Sequence, residues 1–436
     1  MSATALIGAA LLAKPAPAQE DAAEPRRPLT FGAATGIELE LRGYAQFGLA
    51  GIIGEPEYFG LDRSGVDAVI GTEIGVPRAS DAFFGNRAVF GSDSEVHFRG
   101  RTVLDNGLGV AFRAELELED DAEVDRDADT IDEVYAQVSG AFGRFQFGMQ
   151  DGVADQMIIS APNVFSQFTI SSIDMNPFEL YADPALNGVG LPGGPFPPSR
   201  TRFILGITSF LDTSPDFTAD FTKIIYFTPR IYGIQLGVSF APNPCRNDTG
   251  LDVANDAVFG CGRADAFGAN YWEIGGNVAQ EFTGFGVGLS GSYGQGDSNP
   301  LVPELSERPY EWHVGGELFF DVGQGKVTLG GAYKNTEGID ALNLPFFDAR
   351  SRHVDAGVTY GTGPWEIGGA WGKADSVFDG SDEELTLVIG GFSYDVGPGI
   401  QVGLGVIYGD AAAESPDLPQ DETGGTSVFS ELDLRF

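Results

Sequence analysis

From Ile37 to the C-terminus, polar and apolar residues alternate one by one along successive runs. In the first run Glu38, Glu40, Arg42, Tyr44 and Gln46 fall on one face, and Leu39, Leu41, Gly43, Ala45, Phe47 and Leu49 on the other. A period of two is the mark of an extended strand whose faces meet different surroundings. The next run sets Glu95, His97, Arg99 and Arg101 against Val96, Phe98, Gly100 and Thr102. After Asp105-Asn106-Gly107, a turn sequence, Arg113, Glu115 and Glu117 stand against Phe112, Ala114, Leu116 and Leu118.

The C-terminal half repeats the unit. Glu311, His313 and Glu317 oppose Trp312, Val314, Leu318 and Phe320; His353 and Asp355 oppose Val354, Ala356, Val358 and Tyr360. Turns are expected at Thr283-Gly284-Phe285, Gly323-Gln324-Gly325, Gly361-Thr362-Gly363-Pro364 and Gly397-Pro398-Gly399. Counting runs gives about 16 strands, with turns of roughly two to five residues alternating with about eight longer loops. An even strand number with short turns at one end and long loops at the other predicts an all-β, antiparallel, transmembrane barrel. A soluble β-sandwich also alternates, but its strands seldom carry a charged face on nearly every strand, with Trp, Tyr and Phe gathered near strand ends on the other.

Composition fits this reading. Hydrophobic residues make up 42% of the 436-residue chain and mean hydropathy is -0.04. No run approaches the ~18 apolar residues of a membrane-spanning helix, whereas barrel strands average to near-neutral hydropathy. The 62 glycines suit tight turns and crowded walls rather than long helices. A formal charge of -38 disfavours nucleic acid as a partner.

At the N-terminus, Ala3–Ala13 reads as the apolar region of an export signal, and Ala16-Pro17-Ala18 fits its cleavage pattern. Residues 1–18 are therefore expected to be a signal peptide, 19–36 a linker and 37–436 the barrel. Cys245 and Cys261 enclose a loop-like segment and are candidates for a disulfide in an oxidising compartment. The segment offers no His or further Cys for a metal.

The ending Phe429-Ser430-Glu431-Leu432-Asp433-Leu434-Arg435-Phe436 resembles the terminal strand of outer-membrane proteins, which finishes on an aromatic residue. Ser92–Glu119, Ile131–Val138 and Phe142–Gly148 resemble early strands of the general Gram-negative porins. The resemblance covers roughly residues 37–436. It implies a barrel of 16 strands in the outer membrane, usually trimeric, with a long third loop folded into the lumen. It also implies that the last strand, with Phe436 as assembly signal, is read by the barrel assembly machinery and pairs with the first strand. Outer-membrane lipid and lipopolysaccharide would surround the wall, and ions and small solutes would pass through. Residues 152 to about 218 occupy the third-loop slot; their apolar piece, Phe203–Leu211, either packs inside the barrel or adds a strand.

A pore needs a constriction and a field across it rather than a catalytic group. Arg42, Arg99, Arg101, Arg113 and Arg144 lie on the polar faces of early strands, and Asp155, Asp174, Glu179 and Asp183 lie in the third-loop segment. Arginines on the wall facing carboxylates on the loop would set up a transverse field. The plainer alternative is that the arginines pair with Glu38, Glu40, Glu95 and Glu115 along the wall. The second loop, Asp120 to Asp129, is acidic; Thr130 and Ala136 break its likeness to a calcium loop, leaving a solvated loop or loose divalent-cation binding. Gly286-Val287-Gly288-Leu289-Ser290-Gly291 has dinucleotide-motif spacing but lies in a strand with no following helix. His97, His313 and His353 sit on separate strands and read as polar residues of the lumen. No cofactor is expected. A mildly cation-selective diffusion pore is expected ahead of a substrate-specific channel, and ahead of a barrel enzyme or adhesin, whose site or plug domain the sequence does not display.

Overall fold

The computed structural model describes residues 14–15, 29–31, 36–58, 88–118, 131–166, 168–170, 213–215, 217–218, 221–242, 270–297, 308–337, 349–378, 381–415 and 418–436. Sixteen strands form an antiparallel meander. They are β1 (Glu38–Tyr58), β2 (Ala88–Val103), β3 (Gly109–Glu117), β4 (Ile131–Gly140), β5 (Gly143–Met149), β6 (Thr222–Phe227), β7 (Ile234–Ala241) and β8 (Tyr271–Phe282). The rest are β9 (Phe285–Gln295), β10 (Tyr310–Val322), β11 (Gly325–Glu337), β12 (Ala349–Thr362), β13 (Trp365–Phe378), β14 (Ser381–Gly397), β15 (Ile400–Ser415) and β16 (Leu418–Arg435). Each pairs with the next, and β16 pairs with β1 to close the barrel. Two short extended pieces lie outside the meander: Lys14–Pro15 beside β8, and Leu29–Phe31 beside Leu39–Leu41 of β1.

The alternation is realised as an inside-out protein. Along β7, Ile234, Leu236, Val238 and Phe240 are exposed, while Gly237, Ser239 and Ala241 between them are buried. Glu273, His313, Asp355 and Asp433 are likewise buried on the inner face, while Ile274, Val314, Val358 and Val402, the cross-strand partner of Leu432, lie on the outer one. Apolar side chains outside and polar ones inside suit a hydrocarbon surround and a wet interior. Aromatic pairs band the outer face at both ends. Trp272–Tyr293 and Trp312–Tyr333, with ring centroids 5.5 and 5.0 Å apart, lie toward the loop end; Phe282–Phe285 and Trp365–Tyr394, 4.7 and 4.5 Å apart, lie toward the turn end.

The expected turns form where glycine can take a left-handed backbone. Gly107 (φ 83°) and Gly284 (φ 83°) turn β2 into β3 and β8 into β9. Phe285 and Gly325, expected within turns, instead begin β9 and β11. At the opposite end there are eight connections, as expected, but only six are long. Only residues 379–380 separate β13 from β14, and only 416–417 separate β15 from β16, because these strands run on as extended hairpins.

The closing seam ends in one close approach. Gly43 and Phe436 exchange backbone hydrogen bonds, each 3.0 Å, beyond the last paired residues Tyr44 and Arg435. A Cβ at position 43 would meet the Glu95 carbonyl oxygen and lie 2.7 Å from the Phe436 ring. We expect Gly43→Val to destabilise the closed barrel by about 1–3 kcal/mol, the usual cost of overpacking. The thermal transition of the compact species in unheated gels would fall; an unchanged transition would show that the approach is not needed.

Candidate functional site

The site is the interior, and it is organised by the segment between β5 and β6. This third connection leaves β5 at Gln150, makes one turn of 3-10 helix at Asp155–Met157, and follows the inner wall. Its irregular backbone needs acceptors that a strand would supply to itself. Carboxylates of the far wall supply them. Glu273 on β8 accepts from the Ala154 amide (3.3 Å) and from the hydroxyls of Thr218 (2.8 Å) and Ser239 (2.9 Å). Asp355 on β12 accepts from the amides of Ala161 (3.1 Å) and Ala332 (2.7 Å) and from the Thr213 hydroxyl. Glu431 on β16 accepts from the Ser166 amide (2.9 Å), and Asp433 accepts from the Ser166 hydroxyl (2.7 Å). Bonds to an ionised acceptor contribute about 1.5–3 kcal/mol each.

Apolar contacts complete the docking. Val153 and Met157 pack against Ile225 and Phe227 on the inner face of β6. Farther along, Val164, Phe165, Phe168 and Ile170 bury against Leu387 and Ile389 of β14, Ile407 of β15 and Phe429 of β16. Phe168 stacks on Phe429 with centroids 4.0 Å apart. Gly403 and Gly405 make room for Phe165, since a Cβ at either would come within 2.8 Å of its ring. The described part of the third loop is thus held along the wall from β6 to β16.

The early wall, β1 to β5, carries the arginines. Arg42 lies 3.0 Å from Glu40, and Arg101 lies 2.8 Å from Glu38 and 3.1 Å from Glu40. Arg113 pairs closely with Glu115 and approaches Glu133 at 3.7 Å. Arg99 is the cross-strand partner of both Glu40 and Arg113, which places it in the same cluster. Arg144 stands apart: its guanidinium lies 4.1 Å from the Phe227 ring centroid, near the turn end. Burial and the charge of Arg144 together hold the Arg230 guanidinium, in the β6–β7 turn, below its ordinary value. Of the loop acids, Asp155 accepts from the Ser214 hydroxyl at 2.7 Å, within the loop itself. Asp174, Glu179 and Asp183 lie outside the described residues, as do Cys245, Cys261, Phe203–Leu211 and the acidic stretch 120–129.

In the sequence the anchoring carboxylates stand only as members of a polar face. Their task depends on where the loop runs. The signal that marks the docking wall is apolarity on both faces, as in Ile224-Ile225-Tyr226-Phe227 and Leu385–Ile389. We expect Asp355→Ala to leave barrel closure intact but to strip three donors of their acceptor. Losing about 1–3 kcal/mol of loop anchorage raises loop opening roughly 5- to 150-fold. Limited proteolysis of the folded barrel within residues 150–218 would accelerate accordingly; cleavage at the wild-type rate would contradict the anchoring role.

Comparison with known proteins agrees with this architecture. The family model described as Gram-negative porin matches residues 2–413. No curated protein matches the sequence. Among solved structures, OmpT, an outer membrane protein of Vibrio cholerae, superposes with a TM-score of 0.50 at 12% identity, covering 94% of this chain and 100% of that one. The outer membrane channel DcaP of Acinetobacter baumannii gives 0.50 at 11%, covering 93% and 99%. OmpF of Salmonella typhi, in complex with daunomycin, gives 0.50 at 11%, covering 94% and 100%. These likenesses are of fold. With an apolar outer face, a polar interior and a family match over nearly its whole length, the chain belongs to the Gram-negative porins and forms a channel of the outer membrane.

Proposed function

We propose that the channel is a general diffusion pore for ions and small hydrophilic solutes, mildly cation-selective. The passage runs between the arginine-bearing wall of β1 to β5 and the third loop. The observation that carries this reading is the pairing of that wall's arginines with glutamates of the same wall. Arg42, Arg101 and Arg113 each lie within ion-pair distance of Glu38, Glu40, Glu115 or Glu133. Paired charges leave fixed dipoles along the passage but little surplus positive charge to recruit anions. The chain's overall charge of -38 then biases the local ion concentration toward cations. Asp174, Glu179 and Asp183 are the acids we assign to the facing side, where with Arg42, Arg99, Arg101 and Arg113 they would orient water and dipolar solutes. Arg144, over Phe227 at the turn end, belongs in this reading to the exit rather than the constriction.

Assembly as a homotrimer fits the shape of the wall. β5, β6 and β7 have only 7, 6 and 8 residues. Even the longest rises about 27 Å at ~3.4 Å per residue, short of a hydrocarbon core of about 30 Å once tilted. Phe145 stacks with Phe147 on the outer face here, with ring centroids 6.2 Å apart, and with Tyr226 at 4.7 Å. A neighbouring copy would cover this low, aromatic stretch, while lipid and lipopolysaccharide would surround the taller strands. Phe436, half exposed at the closing seam, is the residue we assign to recognition by the assembly machinery.

Reversal potentials in planar bilayers under a salt gradient test the selectivity. Wild type should prefer cations. An unbalanced charge about 4 Å from a passing ion is worth about 1 kcal/mol in water, or roughly fivefold. Replacing Arg42 and Arg101 by alanine should therefore raise the cation preference by up to that factor per charge. An anion-preferring wild type, or no conductance, would refute the reading. Native mass spectrometry of the detergent-extracted protein should show three copies; a monomer would refute the trimer.

A further inference from the structure

We propose that Glu95, His97 and Glu115 form a transition-metal site on the lumen wall, suited to Zn2+. Glu95 and His97 lie two residues apart on β2, so their side chains share its inner face. Glu115 is the direct cross-strand partner of His97 on β3. The three therefore converge from two rigid, paired strands rather than from a loop. His97 Nε2 lies 2.5 Å from Glu95 Oε2, and Nδ1 lies 3.6 Å from Glu115 Oε1. One donor atom from each residue lies within 4.8 Å of the others. Metal–ligand bonds of about 2.0–2.2 Å set tetrahedral donors roughly 3.4 Å apart, so binding draws Glu95 back from Nε2 and turns the imidazole until one nitrogen faces both carboxylates.

The surroundings hold the donors in place. The Tyr44 ring stands edge-on to the imidazole, with centroids 6.1 Å apart and planes at 87°, and its hydroxyl donates to Asp93 at 3.3 Å. Glu115 is buried and gripped by Arg113, which also approaches Glu133 at 3.7 Å. Such outer contacts orient ligands and tune their basicity. Arg42, the partner of His97 across the β1–β2 pair, lies 3.0 Å from Glu40. The Glu95 and His97 side chains remain partly accessible from the lumen, which leaves the remaining coordination positions to water or a passing solute. One imidazole with two carboxylates favours zinc or copper over calcium and magnesium, which take oxygen donors almost exclusively.

Isothermal titration calorimetry of the full-length, detergent-folded protein with Zn2+ tests this. Wild type should show one saturable site that Ca2+ does not reproduce. H97A should weaken that binding by more than about tenfold, and E115Q, nearly isosteric, should weaken it as well. Retention of the compact band in unheated gels shows that each variant is folded, and because E115Q preserves side-chain volume it keeps the test available if H97A does not fold. Equal Zn2+ affinity in wild type and the folded variants would overturn the proposal, as would Ca2+ binding the same site equally well. The readout is binding, so it stands or falls independently of the conductance that tests the pore.

Discussion

Hydrocarbon offers a backbone nothing to bond to, and each amide or carbonyl left open there costs several kcal/mol. A sheet survives in it only if the last strand finds the first. Here that meeting is made by β16 and β1, and its final exchange joins the backbone of Phe436 to Gly43. Most other features follow from the requirement. Closure makes every strand two-faced, two faces impose the alternation, and the alternation sends carboxylates, histidines and arginines inward to water. The glycine at position 43 is the local expression of the same constraint, since the backbones and the terminal ring share a space that a side chain would fill.

Inside the barrel the problem is reversed, because a loop crossing a wet lumen must be kept against the wall. The protein does this with charge-assisted bonds donated by the loop to Glu273, Asp355, Glu431 and Asp433, reinforced by apolar patches on β6 and β14 to β16. Several of the acids on the inner wall are therefore structural acceptors or partners of arginine. That division of labour keeps the loop on one side and the paired charges of β1 to β5 on the other. In the pore we propose, a few local geometries rather than net charge alone would set the passage.

Strand faces, turn positions and the membrane-facing surface were readable from the sequence because each depends on neighbours in the chain. Glu38 to Gln46 alternate with Leu39 to Leu49 whatever lies elsewhere, and Gly107 and Gly284 mark turns by their own backbone freedom. What depended on distant contacts was less legible. Ile225 and Phe227 look like surplus apolar residues until Val153 and Met157 lie on them. The number of long loops was overestimated because strands β13 to β16 extend through positions that polar composition marks as loop. The pairing of His97 with Glu115 lay within reach: a turn centred on Asn106 fixes every β2–β3 partner, since Val103↔Gly109 and His97↔Glu115 are equidistant from it. Taken singly, each histidine marks only a polar position on its strand.

The inside-out wall is open to direct measurement. Spin labels placed singly at positions 95 to 101 along β2, in a background with Cys245 and Cys261 replaced, read each face directly in lipid vesicles. Collision with dissolved oxygen should peak at positions 96, 98 and 100, and collision with a water-soluble nickel chelate at 95, 97, 99 and 101. Two quenchers rising and falling together, or a period near 3.6 residues, would contradict a barrel whose apolar face meets lipid and whose polar face meets water.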